Sequence, residues 1–149
     1  MKKVILVLTA FIVISVAFLS GCTDTKNVGT YDDEKFHQQC LVPVVTSVFS
    51  DADEAIDAYE IEKWERFRFA CENLEENTLR LLDEIEEYTV STTYEIIWSE
   101  FKSALEDFKQ ASSFGKNKGD DDIETAYEYL SSGTNHCNTV LELLKEMEE

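Results

Sequence analysis

The stretch that decides the fold is WERFRFACENLEENTLRLLDEIEEY, residues 64–88. Trp64, Phe67, Cys71, Leu74, Thr78, Leu81, Ile85 and Tyr88 recur there in alternating steps of three and four. Residues so spaced share one side of an α-helix. Glu, Asn, Arg and Asp fill most of the remaining positions, so the opposite face is largely polar. Such alternation makes a heptad seam of the coiled-coil kind. One helix cannot bury such a seam alone, so partner helices must cover it.

Further along the chain, Tyr94, Ile97, Trp98, Phe101, Leu105, Phe108 and Ser112 make a second stripe. Thr92 with Glu95 reads as its capping box and Gly115 as its end. The loop Gly115-Lys116-Asn117-Lys118-Gly119 does not continue a helix readily. Asp120 to Asp122 then set negative charge at the start of a last helix, whose stripe is Ile123, Tyr127, Leu130, Thr134, Cys137, Leu141 and Leu144. Gly133 inside it is a weak point or a close-packing position.

In the other direction, Phe36, Cys40, Val44, Ser47 and Val48 form the stripe of a first helix, with a kink or turn expected near Gln39 because of Pro43. Ser50 with Asp53 offers a capping box that would end this helix near Phe49. The alternative carries the stripe through Ala52, Ala55 and Ile56 to a corner near Asp57–Glu60. That choice gives four helices of roughly 26, 28, 23 and 28 residues, and matched lengths leave no apolar overhang in water. Short connections make consecutive helices antiparallel neighbours. The expected fold is all-α, an antiparallel up-down-up-down four-helix bundle over residues 32–149.

The N-terminus is of another character. Lys2 and Lys3 precede an apolar run from Val4 to Leu19, broken only by Thr9 and Ser15. Sixteen helical residues reach about 24 Å, short of the ~30 Å hydrocarbon core. The run therefore reads as a signal-peptide h-region, with a short permanent anchor as the other reading. It closes on Leu19-Ser20-Gly21-Cys22, which resembles the lipobox of prokaryotic lipoproteins, where the leader is cut before the cysteine and a lipid is joined to its sulfur. Residues 1–21 are then the leader and Cys22 the lipidation site. Residues 22–31, rich in Thr, Asp, Lys, Asn and Gly, form a tether with little to bury.

Charge narrows the partners. The chain of 149 residues carries 13 basic and 31 acidic side chains, a net −18. Loss of Lys2 and Lys3 with the leader leaves 11 basic residues against 31 acidic, or −20. Nucleic acid and anionic lipid surfaces repel such a body.

Cys40, Cys71 and Cys137 each fall on the apolar stripe of a helix. In the expected bundle, Cys40 and Cys137 lie about 6 Å apart along the axis, with Cys71 about 9 Å from Cys137 and about 15 Å from Cys40. A Cys40–Cys137 disulfide needs a modest register shift, and an extracytoplasmic site permits it. Three buried thiols acting as small apolar residues are the other outcome. His37 and Cys40, one helical turn apart, with Cys137 opposite, form a candidate three-ligand metal set. Otherwise His37 and His136 are solvated boundary residues.

Other chemistry finds no support. Glu34 and His37 match half of a di-iron ligand set with no second pair. Asp120-Asp121-Asp122 lacks calcium-loop spacing. Glycine-rich phosphate loops and haem-attachment motifs do not occur, and paired carboxylates such as Glu75-Glu76 are too common to signify. No cofactor is expected, and the chain does not read as an enzyme. Trp64, Phe67, Trp98, Phe101, Phe108 and Tyr127 are read as core. Tyr31, Phe69 and Tyr129 lie off the stripes, and Phe69 with Tyr129, if exposed together, would mark a partner surface.

The Val90-Ser91 corner, the Leu105-Glu106-Asp107-Phe108 run and the four amphipathic helices behind the lipobox resemble small lipoproteins of methanogenic archaea that have no assigned function. The resemblance implies an exported helical body and supplies no catalytic residues. The expectation is a lipid-anchored, extracytoplasmic helical module with a non-enzymatic binding or structural role, its partner an envelope protein. The alternative is a small-ligand or metal-binding lipoprotein using His37, Cys40 and Cys137.

Overall fold

The structure, a computed structural model, describes residues 31–117 and 119–147, with the side chains of residues 42–46 outside that description. The leader, Cys22 and the tether up to residue 30 therefore lie outside the described residues.

The described chain is all-helical, without strands. In order it holds α1 (Asp33–Lys35), a π-helical segment (Phe36–Leu41), α2 (Val42–Glu60), α3 (Trp64–Ile85), α4 (Glu95–Gly115) and α5 (Asp120–Glu146). The first three run on without a break. Pro43 explains the change of winding: a proline has no N–H to give to the carbonyl four residues before it, here that of Gln39. Instead of a kink, the six residues before Val42 take the wider π pitch.

Helix α2 passes through Ser50 and Asp53 and ends at Glu60, with Ala52, Ala55 and Ala58 buried. Of the two endings read from sequence, the structure takes the one that matches the helix lengths. Its last turn closes with Lys63 N–H donating to the Ala58 carbonyl (2.8 Å) and Glu62 N–H to that of Tyr59 (3.0 Å). These are the two bonds of a Schellman stop.

One end signal acts otherwise than expected. Thr92 and Glu95 form no capping box: the cap of α4 is Tyr94, which makes no side-chain cap bond. Tyr94 N–H instead closes a turn on the Ser91 carbonyl (2.9 Å). The helix ends at Gly115 as read, although none of the described glycines has a positive φ. Its reason is space, since a Cβ there would run into Cys71 Sγ.

Consecutive helices pack along one another. The α4–α5 contact is the most extensive, and α2 meets α5 over a much shorter stretch. Small residues allow the close approach: Ala104, Ala111 and Ala126 are fully buried, and a Cβ on Gly133 would lie 2.6 Å from Phe108 Cε1 and 3.1 Å from the Ala104 carbonyl. Gly133 is thus a close-packing position. The seam of α3 is buried from Phe67 to Ile85 as its spacing predicts, but Trp64, at the corner, is 38 % exposed.

The ends differ. Where the described chain begins, Asp32 N–H donates to the Thr89 carbonyl (2.8 Å) and Ser91 N–H to Asp33 Oδ1 (2.8 Å), pinning α1 to the α3–α4 connection. Phe36 fills that end, its ring centroid 5.8 Å from Tyr88, 6.4 Å from Tyr94 and 6.1 Å from Phe101. From Asp33 to Glu60 the helical run spans about 40 Å at 1.5 Å per residue. The α2–α3 corner therefore stands at the opposite end, beside the start of α5, where Tyr59 and Trp64 share a small open cleft with Asp120, Ile123 and Glu124.

Candidate functional site

The cysteine readings come first. Cys40, Cys71 and Cys137 are all buried and all free, so the expected Cys40–Cys137 bridge is not formed. Axial height was a sound guide only while the first helix kept α winding. The π segment turns less per residue, and Cys40 comes to face α3, where Glu84 and Arg80 are its charged neighbours. The thin α2–α5 contact gives a bridge no seam to cross.

Burial sets the chemistry of these thiols. It pushes Cys40 and Cys71 up to about 12, with Glu84 adding to the first and Glu72 to the second. Burial alone raises Cys137 well above an ordinary thiol. The thiolate is the nucleophile and the metal ligand, so these side chains act as small apolar residues at neutral pH.

His37 is buried, at 4 % exposure, rather than solvated at a boundary. The π segment that turns Cys40 inward takes His37 with it. Among the described residues no group of three or more His, Cys, Asp or Glu side chains is placed to hold a metal ion. His37, Cys40 and Cys137 thus do not assemble as a ligand set. His136 is half-buried between two carboxylates of α4, with Nδ1 2.7 Å from Glu100 Oε2 and Nε2 3.7 Å from Asp107 Oδ2. It ties α5 to α4, its ring nitrogens turned to opposite sides.

The aromatic side chains divide. Phe67 and Phe108 are fully buried, as read from the stripes, and Tyr127 stacks on Tyr59 with centroids 4.0 Å apart. Tyr129 stacks on Phe114 at 5.9 Å. Tyr129 is half-buried and Phe69 exposed, so the two are not exposed together.

What the sequence reading missed is the α2–α3 corner. Ile61 is 55 % exposed and Trp64 38 %, and both line an open groove of ≈ 650 Å³ with Glu62, Lys63, Glu65, Arg66 and Arg68. The Trp64 ring is braced from behind by Tyr59, 5.8 Å away at 70°. Glu62 holds φ at 55°, the left-handed conformation that the Schellman stop requires at this position. Glycine adopts it freely, whereas a side chain there costs about 1 to 2 kcal/mol. Backbone strain and exposed apolar surface at one corner mark a functional candidate. The sequence carries no glycine or proline at residues 57–64 to mark this corner. A heptad count gave Trp64 to the core instead.

Among the described residues, no helix is long and apolar enough to cross a membrane. Comparison with known protein families, with curated proteins and with solved structures finds no match to this chain.

Proposed function

We propose that this chain is a lipid-anchored, extracytoplasmic protein, cut after Gly21 and acylated on Cys22, whose helical body serves as a non-enzymatic binding module at the cell surface. In this reading α1, the π segment and α2 act as one rod, and the body is an up-down-up-down four-helix bundle. The supporting observation is the placement of the Ile61–Trp64 groove. It lies about 40 Å along the first rod from the point where the chain leads back to Cys22. A lipid there would hold the pinned end toward the membrane and present the groove to the surroundings.

The test is the intact mass of the mature protein purified from its native membrane without reductant. A chain that starts at Cys22 with added lipid mass is expected, and Cys22→Ala should leave the membrane fraction or keep its leader. A protein that retains Met1, or an unmodified Cys22 at the mature N-terminus, would end the reading. Alkylation of the denatured sample should label Cys40, Cys71 and Cys137 alike.

A further inference from the structure

Resting on that surface-binding reading, we propose that the cleft between the α2–α3 corner and the start of α5 binds a small quaternary ammonium compound, a free solute with a trimethylammonium head. The cleft is lined by Tyr59, Trp64, Asp120, Ile123 and Glu124: two aromatic rings, one aliphatic side chain, two carboxylates and no cation. A tetraalkylammonium ion calls for that mixture. Its charge is attracted to the π face of an aromatic ring within about 6 Å of the centroid, most strongly to tryptophan. Its methyl groups pack on apolar walls, and it brings no N–H that must find an acceptor.

The walls are fixed by packing within the protein. Tyr59 stacks on Tyr127 of α5, with centroids 4.0 Å apart and planes 12° from parallel, and leans on Phe67 at 6.0 Å. Trp64 meets Tyr59 at 70°, so the two rings stand as adjoining sides of an angle, and the indole keeps accessible surface. Asp120 and Glu124 are one helical turn apart and share a side of α5. Both are exposed, and neither forms an ion pair among the described residues.

The charge balance favours a cation. The positive end of the α5 dipole, equivalent to about half a charge, opposes one here. Asp120, Asp121, Asp122 and Glu124 outweigh it, and the net −18 of the chain adds long-range attraction. Lys63, Arg66 and Arg68 line the neighbouring groove, which shares only Trp64 with this cleft.

The same lining disfavours other cations. Calcium takes six to eight oxygen ligands, and no group of three or more metal-binding side chains assembles among the described residues. A primary ammonium such as a lysine head is strongly hydrated and brings three N–H donors to walls made mostly of rings and aliphatic carbon. At ≈ 170 Å³ the cleft suits one head group, well below the roughly 300–1,000 Å³ of sites for drug-sized molecules. In the surface reading it stands about 40 Å along the first rod from the anchored end, away from the lipid headgroups, so the ligand comes from solution.

The experiment uses the full-length protein in a maltoside detergent, isotope-labelled at the tryptophan indole nitrogens. Tetramethylammonium chloride is the probe, with sodium chloride holding the ionic strength constant. The signals of Trp64 and Trp98 are told apart with Trp98→Phe. A saturable shift of the Trp64 signal is expected, with Trp98 unmoved. Choline should reproduce it, and the neutral alcohol in which carbon replaces choline's nitrogen should bind at least about tenfold more weakly. Asp120→Asn with Glu124→Gln should weaken binding at least about fivefold. Glu142→Gln with Glu146→Gln, an equal loss of charge elsewhere on α5, should leave it unchanged. Followed by calorimetry, Trp64→Ala should abolish binding and Trp64→Phe should keep part of it, which separates recognition from misfolding. No saturable shift, equal binding of the neutral alcohol, or an equal response to ammonium or magnesium chloride would overturn the proposal. Choline binding by a protein whose native Cys22 proves unmodified breaks only the anchor. A lipidated protein whose Trp64 signal ignores tetramethylammonium breaks only this assignment.

Discussion

The two ends of the molecule spend their aromatic residues in opposite ways. At the pinned end, Phe36 is fully buried among Tyr88, Tyr94 and Phe101, and two hydrogen bonds close the chain over it. At the far corner, Trp64 leans on Tyr59 with one face in water, Ile61 is more than half exposed, and Glu62 is held in a strained conformation. A corner built for stability alone would take glycine at residue 62 and a polar residue at 61. The pinned end closes its aromatic ring away from water, and the far corner leaves apolar surface accessible.

The largest effect should come from testing that contrast directly. Phe36→Ala should cost about 3 to 5 kcal/mol in denaturant unfolding, as for large buried aromatics generally. Trp64→Ala should cost under about 1 kcal/mol, since its ring is already partly solvated. Equal losses would erase the distinction between the ends. Next comes Gly133→Ala, which drives a Cβ into Phe108 and the Ala104 carbonyl along the α4–α5 seam. A loss of about 1 to 3 kcal/mol, seen as a lower Tm, is expected from such overpacking.

Glu62→Gly should act in the other direction. Removing the left-handed penalty raises stability by about 1 kcal/mol, less the entropy that glycine adds to the unfolded chain. An unchanged or lower Tm would show that the Glu62 conformation carries no strain. The smallest effect is one of pH. Burial raises Asp51 and Asp53 above the usual carboxylate range, with Asp57 adding repulsion at Asp53 and the Asn77 hydrogen bond partly offsetting the shift at Asp51. The folded state then holds these protons more tightly than the unfolded state, so stability falls as pH rises from about 3.8 through the folded values. The contribution of these two groups to Tm should fall as pH is raised from about 3.8, and Asp51→Asn should reduce that fall in a pH series of thermal melts.

Much of the fold was legible. The seam from Phe67 to Ile85, the corner beyond Ala55 and the helix start at Asp120 follow from periodicity, length matching and the helix dipole. The tight contacts were harder to read, because Ala104, Ala111 and Gly133 carry little hydropathy and act by being small. The Cys40–Cys137 pairing and the boundary place of His37 were misjudged for a different reason, although Cys40 is buried on its stripe as read. Their azimuth depends on winding that Pro43 alters, and an axial count carries no azimuth. Trp64 was misassigned because a stripe does not say where its covering helices stop. The candidate site lies where that cover ends, so the pattern that revealed the bundle concealed the groove.

The bonds at Asp32 and Asp33 also determine how the body carries load. Tension along the chain from its N-terminal side falls first on Asp32–Thr89 and Asp33–Ser91. Both lead into the α3–α4 connection, near the middle of the sequence. The load therefore bypasses the far corner. Should the two bonds part, Phe36 is the next obstacle, a cleat that must leave its aromatic socket before the first rod can peel away. Tension from the N-terminal side thus meets two backbone-closing bonds and one buried ring before it reaches the rest of the first rod.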